Sequence, residues 1–291
     1  MTIPDNNAIP EMFSDNLGAT LICTIEARAH AGDDYRIACW NDDEAKKVWQ
    51  RLTVLAEQSS IDLNDYVVAE KSNRAGTIHR ALCIDRQIRE FRRITDGPIQ
   101  VVTLGVGLCT RATRVPDIKD VTFFGIDRPE VVATRKAVMP EDPTELIGAS
   151  VTAPGWMDDF AHDKPTCFVA EGLVMYLTAD QVRQILADIA STMTAACWFV
   201  SDSHHSRVIG KGQRKAEITN KTGSVYTFGS ADAESMANLG GQRWQAVSAI
   251  DTMGPIGPMH RAISTVFRLL RKAELFSVKT IAFQPTGAGG R

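Results

Sequence analysis

IQVVTLGVGLCTRATRV, residues 99–115, is the stretch that decides the fold. Its first seven residues are apolar and rich in β-branched side chains, and they end in Gly105. A near-continuous apolar run of this length suits a strand covered on both faces. Similar runs follow: VTFFGID (121–127), ELIGASV (145–151), TCFVAEG (166–172) and ACWFVSD (196–202). Helical segments separate them. PEVVATRKAVM (129–139) begins with Pro129, which suits a first helical turn. TADQVRQILADIASTM (178–193) opens with Thr178 and Gln181 at capping-box spacing, and Val182, Ile185, Leu186 and Ile189 make one apolar stripe. Strand and helix in alternation predict an α/β protein with a doubly wound, mostly parallel sheet.

Downstream, WQAVSAID (244–251) and FSVKTIAFQ (276–284) read as strands around a helix, AISTVFRLLRKA (262–273), which brings the sheet to seven strands. Upstream, residues 1–75 carry no strand signal. A helix is expected from Asp43 to Leu55, and a second from Thr77 to Ile94, with Ile78, Leu82, Ile88 and Phe91 at helical spacing. The chain therefore divides into a helical N-terminal cap, 1–75, and a Rossmann-like domain, 76–291. A polar, glycine-bearing insertion at about 203–260 is the candidate lid.

A net charge of −3 gives neither nucleic acid nor a membrane surface an electrostatic reason to bind. No apolar run is long enough to span a bilayer, and the N-terminus lacks the basic start and apolar core of a signal peptide. The six cysteines include no C-x-x-C pair, so they read as reduced thiols in a cytoplasmic protein. No spacing of His, Cys, Asp and Glu suggests a metal. The tail PTGAGGR (285–291) reads as frayed.

Gly105 and Gly107 stand at the carboxyl end of a buried strand, where a backbone without side chains can approach a nucleoside. Asp127 ends the next strand, 20 positions after Gly107, where a carboxylate can accept hydrogen bonds from both ribose hydroxyls. A nicotinamide dinucleotide calls for a third glycine where Thr110 stands, to admit its pyrophosphate. S-adenosylmethionine has no pyrophosphate and makes no such demand. The blander alternative is a pair of glycines that only make a tight turn.

Several motifs stand in the order found in a known family. They are RALCIDRQIREF (80–91), VVTLGVGLCTRATRV (101–115), FFGIDRPEVVATRKAVM (123–139), GASVTAPGWMDDF (148–160) and VAEGLVMYLTADQVRQIL (169–186). With them, the chain from about Arg80 to Gln284 resembles the leucine carboxyl methyltransferases and the tetracenomycin-type polyketide O-methyltransferases. EGLVMYL (171–177) is the most specific of these segments. Residues 28–55 resemble the family's helical cap, and YTFGSADAESM (226–236) a segment before its last strands. Cys109 stands where the family usually has aspartate, and Ala153 and Pro154 where it often has another.

The resemblance implies S-adenosylmethionine as cofactor, with Arg80 on its methionyl carboxylate, Gly105, Gly107 and Asp127 around the nucleoside, and Ser150 and Val151 beside the adenine. Glu171, a carboxylate in an apolar run, needs a cationic partner, either the cofactor's ammonium or an arginine such as Arg80 or Arg111. Tyr176 is the candidate for positioning the acceptor. His204 is a candidate base, although a histidine just past a strand reads more simply as a loop residue near solvent. The acceptor is expected to be a small molecule, polyketide-like or another secondary metabolite, methylated on a carboxylate. A carboxylic acid of pKa about 4 is ionised at neutral pH, whereas a phenol near 10 needs a placed base. A phenol acceptor is the alternative, and so is a silent protein that binds S-adenosylmethionine without turnover.

Overall fold

In the computed structural model, which describes residues 16–34, 40–68, 70–210, 223 and 225–285, the stretch quoted first becomes β1 (Ile99–Leu104). Every residue of β1 is buried, as a strand between two helical layers requires. β2 (Val121–Asp127), β3 (Glu145–Gly148), β4 (Thr166–Ala170) and β5 (Cys197–His204) join it in parallel. β6 (Trp244–Asp251) and β7 (Phe276–Phe283) complete a seven-stranded sheet in the order β3-β2-β1-β4-β5-β7-β6. β7 runs antiparallel to both of its neighbours. The chain winds outward from β1 in one direction and from β4 in the other, which opens a crevice at the carboxyl ends of these two strands. Gly105 follows β1 and Glu171 follows β4, so both stand at that crevice.

The helices are α1 (Asn16–Asp34), α2 (Asp43–Gln58), α3 (Lys71–Ile94), the single turn α4 (Arg111–Arg114), α5 (Pro129–Val138), α6 (Ala179–Thr192), α7 (Ala233–Gly240) and α8 (Pro258–Arg271). Neighbouring residues of a strand face opposite sides of the sheet. Val101 accordingly packs with Ile84, Ile88 and Phe91 of α3, while Val102 packs with the α6 stripe Val182, Ile185, Leu186 and Ile189. The capping box of Thr178 and Gln181 forms at the start of α6. α1 and α2 share a separate apolar cluster with Leu108 and Val138, which lays these N-terminal helices against the glycine loop.

Several boundaries differ from the sequence reading. α3 starts at Lys71, six residues before Thr77; its first turns are polar, and apolar spacing is silent there. β3 stops at Gly148, because its partner β2 ends at Asp127: the Ala149 amide makes the last bond, to Asp127 O, and a turn follows at Ser150. β5 runs on to His204, because Ser203 and His204 keep pairing with Ser277 and Phe276 of β7. Residues 1–15 of the expected cap, Cys39, residues 211–222 and 224 of the expected lid, and the tail from 286 lie outside the described residues. Cys83, Cys109, Cys167 and Cys197 are free thiols. Among the described residues no helix is long and apolar enough to cross a membrane.

Candidate active site

The glycine loop leaves β1 with Gly105 at φ +65° and Gly107 at φ +47°, a left-handed backbone that side chains disfavour. A Cβ on Gly107 would lie 2.5 Å from Cδ2 of Leu21, so α1 closes directly over the loop. From behind, the wholly buried Arg135 of α5 donates from Nη1 to Gly107 O and from Nη2 to Cys109 O, both at 2.8 Å. The same guanidinium pairs with Asp142 at 2.7 Å. Sequence reading assigned Arg135 nothing, since an arginine in a helix is most often an exposed one.

Asp127 accepts from the amides of Gly107 and Arg128, each at 2.8 Å. Burial pushes its carboxyl above the ordinary carboxylate value, and these two amides offset only part of that shift. Each carboxylate oxygen has more than one acceptor position, so both can still take a ribose hydroxyl.

Glu171 stands among arginines. Its Oε1 accepts from Arg28 Nη2 at 2.7 Å and from Arg80 Nε at 3.3 Å, and its Oε2 accepts from Arg111 Nη2 at 2.5 Å. Arg111 also donates to Asp85 at 2.9 Å, and Arg114 donates to Asp85 at 3.0 Å and Asp42 at 3.3 Å. Arg80 reaches Asp202 at 3.2 Å, and Asp202 accepts from the Gly172 amide at 2.6 Å. The network balances four arginines against four carboxylates, so no net charge is buried with it. Burial alone would raise the Glu171 carboxyl, but Arg28, Arg111 and Arg80 together hold it well below its usual range. The expected pairing of Glu171 with Arg80 and Arg111 is therefore present. Arg28, which sequence reading left without a role, joins them, and its buried Nε has no partner among the described residues.

Three adjoining cavities follow the carboxyl edge of the sheet. The first, about 240 Å³, is lined by Asp127, Val131, Ser150, Val151 and Leu173. It shares Leu21, Gly105 and Tyr176 with a second of about 100 Å³, lined by Arg28, Arg80, Gly107 and Glu171. The second shares Arg80, Met175 and Tyr226 with a third of about 320 Å³, which extends to Asp202, Ser203 and His204. Arg80, Gly105, Gly107, Asp127, Ser150, Val151, Glu171, Tyr176 and His204, singled out from the sequence, line this run, whereas Arg111 does not. The set fits S-adenosylmethionine: a buried carboxylate for the ribose diol, an open glycine loop, and guanidinium groups, one with an orphaned nitrogen, for the methionyl carboxylate.

His204 is the last residue of β5 and not a solvent-facing loop residue. Its ring stacks on Tyr226 with centroids 4.6 Å apart and meets Phe276 edge-on. Its Nδ1 is buried without a partner among the described residues. Burial, with Lys279 and Arg80 nearby, pushes the imidazole down to about 4. His205 turns elsewhere: its Nδ1 accepts from the Arg207 amide and its ring meets Phe267. Tyr176 packs on Tyr226 at 5.4 Å, and burial raises its hydroxyl well above the usual value. Among the described residues no group of three or more His, Cys, Asp or Glu could hold a metal ion.

The model of the leucine carboxyl methyltransferase family matches residues 20–155. The chain is 28% identical over 229 residues to the tetracenomycin polyketide synthesis O-methyltransferase TcmP of Streptomyces glaucescens, covering 78% of this chain and 80% of that one. A Mycobacterium avium (strain 104) protein assigned as an S-adenosyl-L-methionine-dependent methyltransferase is 26% identical over 282 residues, 86% of each chain. Other relatives are matched over 33% to 50% of their own length. A crystal structure from Thermobifida fusca YX, of a protein assigned as a methyltransferase, shares the fold with a TM-score of 0.55 at 15% identity, covering 92% of this chain and 95% of that one.

Proposed function

We propose that this chain, an S-adenosylmethionine-dependent methyltransferase, places the methyl group on a carboxylate oxygen of a small acid, so that the product is a methyl ester. When bound, the cofactor supplies an electrophilic methyl on its sulfonium, which is lost by in-line displacement. The protein's share is position and electrostatics. Asp127 takes the ribose hydroxyls, Ser150 and Val151 flank the adenine, and Arg28 and Arg80 take the methionyl carboxylate. Glu171 holds these two arginines in place, and its own charge is already neutralised by three guanidinium groups. The acceptor enters the third cavity and meets the cofactor beside Arg80, Met175 and Tyr226, which line both spaces.

The observation that carries the carboxylate reading is the state of His204. A phenol near pKa 10 would have to give its proton to an imidazole held at about 4, a transfer uphill by about six units. An acid that arrives ionised needs no base, and the positive charges that depress His204 favour it. Tyr176 and the neutral His204 ring remain able to donate hydrogen bonds to it. Transfer of a labelled methyl followed by mild alkali tests the assignment. An ester releases labelled methanol. A base-stable label on the best acceptor would move the reading to a phenol or alcohol.

The cofactor side has its own test. Asp127→Ala is expected to weaken S-adenosylmethionine by about 1.5–3 kcal/mol, roughly 10- to 150-fold, because charge-assisted hydrogen bonds to the ribose are lost. Calorimetry on the folded variant reads this directly, and an unchanged Kd would remove Asp127 from the site.

A further inference from the structure

A surface helix ordinarily turns its apolar stripe toward the protein and its polar side to solvent. α8 does the reverse. Its buried residue is Ser264, whose Oγ donates to Asp251 Oδ2 at 2.7 Å. Two more residues tie the helix to the protein: Arg268, 3.6 Å from Glu274, and Phe267, whose ring meets that of His205 at 5.1 Å. Met259, Ile263, Val266, Leu269 and Leu270 are 44–75% exposed, and nothing among the described residues covers them. Together they form an apolar patch on the order of 500 Å², at the upper end of what monomers leave open.

The spacing of these residues indicates the kind of surface that would cover them. Met259, Ala262 and Ile263 are followed, seven residues on, by Val266, Leu269 and Leu270. That repeat is the seam by which one helix packs along another. The charged residues Arg261, Arg268 and Arg271 stand behind the seam and not along it. Two such helices can therefore meet without opposing like charges. A lipid surface would draw on cations at the edges of the seam, and the chain as a whole carries −3. The nearby sheet edge offers no competing route. β6 is an outer strand, but its pairing with β7 slips between Ala246 and Ser248, and a bulge blunts an edge against strand addition.

We infer that α8 is the interface with a second copy of this chain, the two helices packing seam to seam across a twofold axis. A twofold pair uses the same patch twice, so a self-complementary seam is what it requires. A standard interface takes about 800 Å² from each partner, and the seam supplies the larger share of that, with a polar rim around it. Met259 adjoins His260, which lines the third cavity, so the interface begins beside the proposed acceptor site. The inference does not depend on which acceptor is methylated.

Sedimentation velocity on the full chain tests it. At low micromolar concentration the wild type is expected to sediment at twice its mass of 31.9 kDa. Val266→Glu and Leu269→Glu each place a charge in the seam and should weaken the dimer by at least about 100-fold. Val266→Leu, and Arg261→Ala behind the seam, should leave it intact. Because Val266 and Leu269 are exposed in the single chain, both charged variants should keep the circular dichroism and the S-adenosylmethionine affinity of the wild type. In the wild type itself, amide exchange across 259–270 should quicken on dilution. A wild type that stays monomeric, or whose exchange there does not depend on concentration, overturns the inference. So does a dimer that survives both charged substitutions, since the contact would lie elsewhere. A monomer that floats with phosphatidylglycerol vesicles, and loses that binding in Val266→Glu, would overturn it too and give the face to a lipid surface.

Discussion

Glu171→Ala is expected to destabilise the fold by about 3–5 kcal/mol, because it leaves three guanidinium groups facing one another without their shared carboxylate. Two of them, on Arg28 and Arg111, have side chains only 4% and 2% exposed, so water cannot replace the lost charge. Glu171→Gln keeps the shape and isolates the charge. Its cost should be pH-dependent in a defined direction. The carboxyl titrates near 4.5 when exposed and well below that in the folded protein. The stability it contributes is therefore present above about 4.5 and is lost as pH falls toward the folded value. Urea unfolding of the wild type and Glu171→Gln at pH 7 and again near pH 3 should show the gap between them narrowing in acid. An equal gap at both pH values would mean that the arginines are neutralised by something other than Glu171.

Arg135→Met should be about as damaging, again by about 3–5 kcal/mol, but for the opposite sign of charge. It strands the Asp142 carboxylate, which is 4% exposed, and leaves the carbonyls of Gly107 and Cys109 without their donor. Because those carbonyls belong to the glycine loop, affinity for S-adenosylmethionine should fall more than 10-fold even under conditions where the variant is fully folded. Chemical unfolding gives the first number and calorimetry the second. A variant with reduced stability and an unchanged Kd would show that the loop keeps its shape without the strut.

What could be read from the sequence was local. β1, the glycine pair and Asp127 lie within 29 residues of one another, and the pattern of apolar runs ending in special residues was enough to place them at one sheet edge. Glu171 was legible for a related reason: a carboxylate closing an apolar run demands a cation. What was missed depends on contacts across long stretches of chain. Arg28 meets Glu171 from 143 positions away, and nothing around Arg28 announces it. Arg135 looked like any helical arginine until its carbonyl partners were known. His204 was misplaced for a similar reason, since only the pairing of β5 with β7 carries the strand as far as this residue.

The three cavities are drawn from different parts of the chain, and this bears on how such a protein can diverge. Most of the proposed cofactor end comes from Thr20, Leu21 and Arg28 of α1, the glycine loop, Asp127 and the Ser150 turn, inside the segment 20–155 that carries the family match, while Glu171, Leu173 and Tyr176 join it from beyond that segment. Much of the proposed acceptor wall comes from Asp202, Ser203, His204, Tyr226, Phe276 and Ser277, all beyond it. Drift in the later segment can therefore exchange one acceptor for another while the earlier segment keeps its ancestral cofactor. The two halves can be inherited under separate selective pressures, and a common ancestor is compatible with a broad spread of acceptors among its descendants.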